Sequence, residues 1–128
     1  MLNQIIELNS TDTSIKVSNA KFKQNSYGVS QLCLKFEKDF DKNSICKAVF
    51  KHENNEYSTE KISCTYKDNF YKVIIPEEIL IEPGKVFFEV EIENKLGKYT
   101  SQRVMFRVIP SLFNKKEKNT VNLKKGFI

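Results

Sequence analysis

The chain has no tryptophan, one histidine, three cysteines, three prolines and four glycines among 128 residues. Each scarcity excludes something. With His52 as the sole histidine, multi-histidine metal centres are ruled out, and any histidine-dependent dyad or triad rests on one residue in the expected turn His52–Glu56. It reads as a solvated turn residue. Gly28, Gly84, Gly97 and Gly126 stand singly, so no phosphate-cradling glycine loop is present. Cys33, Cys46 and Cys64 are odd in number and lack a Cys-x-x-Cys spacing, which fits reduced thiols better than a disulfide framework. No apolar window approaches the roughly 18 residues of a membrane span, and Met1 to Leu8 lacks the basic-then-apolar order of a secretory signal.

Charge of one sign is unevenly placed. The formal net charge is +5, but Ser111 to Ile128 carries five lysines against Glu117, leaving the body near neutrality. Only two arginines occur, Arg103 and Arg107, so the excess is a basic tail and not a folded nucleic-acid face with interleaved aromatics. Neither nucleic acid nor membrane is expected as a partner.

Period-two alternation runs through the body and points to an all-β fold. Leu32, Leu34 and Phe36 share one strand face; Cys46, Ala48 and Phe50 share the next, with Lys47 and Lys51 opposite. Asp39 to Ser44 is the turn between them. After the turn at His52–Glu56, Tyr57 to Tyr66 is expected as a strand with Ile62, Cys64 and Tyr66 aligned. Tyr71, Val73 and Ile75 line another, which Pro76 should end because it offers no ladder donor. Glu77 to Leu80 reads as one helical turn, and Pro83-Gly84 restarts the ladder.

The clearest series is Val86, Phe88, Val90 and Ile92, faced by Lys85, Phe87, Glu89, Glu91 and Glu93. Asn94 to Gly97 closes a hairpin whose return carries Val104, Phe106 and Val108 inward, with Arg103, Met105 and Arg107 outward. Upstream, Ile15, Val17 and Phe22 mark an opening strand, and Met1 to Leu8 is an extra strand or arm. About seven to eight strands at this spacing give an antiparallel immunoglobulin-like β-sandwich over residues 1–112, followed by a basic tail over 113–128.

Chemistry-bearing patterns are weak. Glu77 and Glu78 are adjacent and point apart, so they are surface charges. Asp39, Asp41 and Asn43 alternate like the start of a calcium loop, but the glycine and bidentate glutamate of such a loop are missing. Cys46 and Cys64 are expected to face inward and be inert. No catalytic residue, cofactor or metal is therefore expected. Tyr27, Tyr57, Tyr66, Tyr71, Tyr99, Phe70 and Phe87 are core residues, a protein interface or a glycan platform. Phe87 stands out of phase with its core-facing neighbours, and Phe113, Leu123 and Phe127 are apolar outside the sandwich, so these four are the candidate partner-binding residues.

Four short stretches add a likeness: Ala48-Val49-Phe50-Lys51, Val73-Ile74-Ile75-Pro76, Glu82-Pro83-Gly84 and Val108-Ile109-Pro110-Ser111. Through them, roughly Ile15 to Leu112 resembles the N-terminal domain of phage baseplate upper proteins. The resemblance implies an immunoglobulin-like sandwich that fastens to a phage tail tip, made in the host cytoplasm and carried in the virion. It also implies contacts with other tail or baseplate proteins and a homo-oligomer. The family continues into a helical linker and further domains, whereas about sixteen residues follow Leu112 here, so host recognition is not implied. The alternative is a small glycan-binding or adhesive sandwich using exposed tyrosines.

Overall fold

A computed structural model describes residues 1–113. Ten strands and one helical turn follow in the order β1 (Leu2–Leu8), β2 (Lys16–Lys23), β3 (Ser30–Phe36), β4 (Ile45–His52), β5 (Ile62–Ser63), β6 (Thr65–Lys67), β7 (Phe70–Ile74), α1 (Glu77–Leu80), β8 (Gly84–Asn94), β9 (Gly97–Thr100) and β10 (Val104–Ile109). They form two stacked sheets, one ordered β1-β3-β7-β6 and the other β2-β10-β8-β4-β5, with β9 also on β8. The chain is an all-β sandwich.

The alternating residues build its interior. Leu32, Leu34, Val73 and Ile75 from one sheet meet Ala48, Phe50, Val86, Phe88, Val90, Ile92 and Phe106 from the other, all buried. Phe106 sits edge-on to Phe22 and Phe50, with ring centroids 5.7 and 6.3 Å away, and tilted against Phe88 at 6.0 Å. Such pairs contribute about 0.5–1.5 kcal/mol beyond burial alone. The strand β7 stops before Pro76, and Ile79 and Leu80 of α1 plug the end of the core. Gly84, with φ +133°, admits the Glu53 carboxylate and the His52 ring where any Cβ would collide.

Several features depart from the sequence reading. Two strand pairs are parallel, β1 with β3 and β2 with β10, in an otherwise antiparallel arrangement. The loop 9–15 carries the chain from one sheet to the other, so β1 and β2 form no hairpin and each docks on a strand running its own way. In β2 only Ala20 and Phe22 are buried, while Ile15 and Val17 are exposed. The pairing slips between Met105 and Arg107, where Phe106 alone lies against Ser18, Asn19 and Ala20. A slip of two keeps the alternation of β2, so Val17 has the opposite parity to Ala20 and Phe22 and faces outward with its partner Met105.

Tyr57 to Tyr66 is not one strand. Thr59 takes both backbone groups of Phe50, through its N–H at 2.8 Å and its hydroxyl at 3.1 Å, and the chain then passes through β5 to β6 in the other sheet, switching at Cys64. The return after Gly97 is likewise broken into β9 and β10 at Ser101–Arg103. There Ser101 Oγ accepts from Val90 N–H, and Gln102 exchanges hydrogen bonds with Asn9. Met105 points outward as expected yet is buried.

His52 is the largest correction. It is the last residue of β4 and 1% exposed, not a solvated turn residue. Its Nε2 donates to the Glu82 carbonyl at 3.0 Å and its Nδ1 accepts from Asn54 N–H at 3.1 Å. Beside it, Glu53 accepts from Lys85 N–H at 2.6 Å. Together these clamp the end of β4 onto the start of β8.

Candidate partner-binding face

Outward residues of the larger sheet come together because the register fixes them in rows. Lys51, Phe87 and Met105 lie in one row, Val49 and Glu89 in the next, and Lys47 and Glu91 in a third. Val17 extends the first row through its pairing with Met105. Between these rows, with Ser58 and Lys61 as one wall and Arg103 as the other, lies a cleft of about 530 Å³. Phe87 is half-buried in it, the one aromatic side chain that alternation places on this face.

Its charges are partly neutralised from within. Arg103 Nε donates to Glu89 at 2.9 Å, and Glu91 sits between Lys61 at 3.3 Å and Lys98 at 3.7 Å. The Lys61 hydrogen bond, helped by both lysine charges against slight burial, holds the Glu91 carboxyl below its ordinary value. Exposed pairs of this kind add little to stability, because water and salt screen them. The side chains of the other two cations lack a countercharge among the described residues: the Lys51 ammonium donates only to the Asn55 carbonyl, at 2.7 Å, and the Lys47 ammonium makes no hydrogen bond or ion pair. Four cations and two carboxylates around Phe87 and Val49 suit an extended segment that offers an apolar side chain flanked by acidic groups.

The other sequence candidates do not join this site. Phe113 is exposed at the end of the described chain and does not line the cleft. Leu123 and Phe127 lie outside the described residues. Of the tyrosines, Tyr71 packs on Phe36 and Tyr66, and Tyr99 on Phe40 beneath the Lys38 ammonium. Tyr27 and Tyr57 are exposed on separate loops. Sequence reasoning found Phe87 through its phase but missed Lys47, Lys51, Lys61 and Arg103, whose convergence depends on the register of β4 against β8.

Chemistry elsewhere is sparse. Both ring nitrogens of His52 are engaged in the clamp. Cys46 is buried, and the Cys64 hydrogen bond, with burial second, pushes its thiol far above the ordinary range. Asp41 caps the Asn43 N–H at 3.1 Å. Among the described residues, no group of three or more His, Cys, Asp or Glu could hold a metal ion, and no helix is long and apolar enough to cross a membrane.

No family model matches this chain, and no curated protein matches it in sequence. A solved structure does match in fold. The N-terminal domain of phage TP901-1 ORF48 superposes with a TM-score of 0.56 at 10% identity, covering 87% of this chain and 99% of that one. At that identity the likeness is one of fold.

Proposed function

We propose that this chain is a structural component of a phage or prophage tail or baseplate. It works by protein–protein assembly, without catalysis, and resides in the virion. The observation that carries this reading is the match in fold over nearly the whole length of a phage protein's N-terminal domain. The baseplate-upper-protein patterns around Val73–Pro76 and Glu82–Gly84 point the same way, and in the structure they form the end of β7 and the start of β8. The outer cleft supplies the contact surface. Its half-buried Phe87 is the kind of aromatic that anchors an interface core, and Lys47, without a countercharge, gives the cleft a charge that an acidic partner complements.

A double substitution, Phe87→Ser with Lys47→Glu, tests this. Wild-type and variant chains are co-expressed with the neighbouring tail proteins, and incorporation is measured in purified particles. The expected result is loss of the variant from particles with an unchanged melting temperature. Equal incorporation would remove the cleft from the assembly, and absence of the wild-type chain from particles would overturn the function.

A further inference from the structure

Natural sheets protect their edges with short strands, lysines, prolines or bulges, because an open edge pairs with another strand. Three outer strands of this sandwich carry such devices. Strand β5 has two residues and β6 three, ending in Lys67, while β2 is bulged and bears Lys16, Lys21 and Lys23. By contrast β1 is seven residues long, pairs in unbroken register with β3, and contains neither lysine nor proline.

The hydrogen bonds of β1 show which of its groups are open. Leu2 N–H donates to Val29 at 2.7 Å and the Leu8 carbonyl accepts from Glu37 at 3.2 Å, both toward β3. Backbone groups alternate sides along a strand, so those of Asn3, Ile5 and Glu7 point away from the sheet. Two observations confirm the parity. The Glu7 carbonyl accepts from the Lys16 ammonium at 2.6 Å, and Asn9, next in the series, exchanges hydrogen bonds with Gln102 on that same side. Among the described residues nothing else occupies the outward N–H and C=O groups of Asn3, Ile5 and Glu7, and Ile5 is 65% exposed.

We infer that β1 is a strand-pairing edge for a second copy of this chain. The sequence is self-complementary about Ile5. In an antiparallel pair centred there, Ile5 meets Ile5 of the second copy, and Asn3 on each chain faces Glu7 on the other, so the amide donates to the carboxylate and no two carboxylates are opposed. The outward groups then form the hydrogen-bonded ladder, and the two smaller sheets become one. Only the Lys16 side chain must swing aside. Pairing of this kind concerns the chain's association with itself, so its failure would leave the tail or baseplate reading standing.

The full chain is tested by sedimentation over a range of concentrations. A dimer of about twice 14.9 kDa is expected. Ile5→Pro removes only the outward donor, a place where a strand tolerates proline, and should give a monomer with unchanged circular dichroism. Asn3→Glu should raise the dissociation constant about tenfold by opposing Glu7, and adding Glu7→Lys should restore it. A chain ending at Phe113 should dimerise equally. A monomer at every concentration, a dimer indifferent to Ile5→Pro, or a dimer lost with residues 114–128 would overturn the inference.

Discussion

The two lateral sides of the sandwich are closed in opposite ways. On one side a single stretch, Ile62 to Lys67, leaves the larger sheet as β5 and joins the smaller as β6, so the layers are sewn together by the chain itself. Cys64 N–H donates to the Cys46 carbonyl at 2.9 Å at the crossing, and the clamp of His52 and Glu53 holds the far end of β4. On the other side stand β1 and β2, seven and eight residues long, bridged at one end by Asn9 with Gln102 and by Lys16 with Glu7. One side is sealed by short strands and buried contacts; the other leaves main-chain groups open. The difference separates what holds this domain together from what it can offer a neighbour.

The largest effect comes from removing what both sides share. Phe106→Ala, in the middle of the four-phenylalanine cluster, should cost about 3–5 kcal/mol in urea unfolding. Breaking the sealed side comes next. His52→Leu keeps the bulk but strands the Glu82 carbonyl and the Asn54 N–H, and should cost about 1–3 kcal/mol by the same measurement. Cys46→Ser buries a hydroxyl in place of a thiol and should cost about 1–3 kcal/mol. In the native wild-type chain Cys46 should resist a thiol reagent at pH 8, because the Cys64 hydrogen bond and burial disfavour its thiolate.

The smallest effect belongs to the open side. Although burial opposes it, hydrogen bonds from the Ser10 hydroxyl and the Ser10 and Glu37 N–H groups, with the Lys38 charge, hold the Glu37 carboxyl below its ordinary 4.5. A depressed carboxyl stabilises the fold above its unfolded value and loses that contribution as pH falls through the folded one. Glu37→Gln should therefore lower stability slightly at neutral pH and leave it matched to wild type in acid, so that its stability falls less steeply as pH drops below about 4.5, as acid titrations by circular dichroism would show.

Much of the sealed core was legible because period-two alternation reports a buried face directly. Leu32 to Phe36, Cys46 to Phe50 and Val86 to Ile92 all face as their spacing predicts. The failures share one cause: groups far apart in sequence decide them. His52 looks like a turn residue among Glu53, Asn54 and Asn55, and its burial depends on a carbonyl 30 residues later. The break at Ser101 answers to Val90 and Asn9, and the bulge in β2 to β10. The outer cleft was half legible for the same reason, Phe87 by its phase and its ring of cations only by strand register.

Mass spectrometry of tail particles, purified from the host that encodes this chain, tests assembly as its role most directly. The expected result is the chain present in fixed proportion to the known tail proteins through successive purification steps. A chain abundant in the lysate and absent from the particles would contradict it.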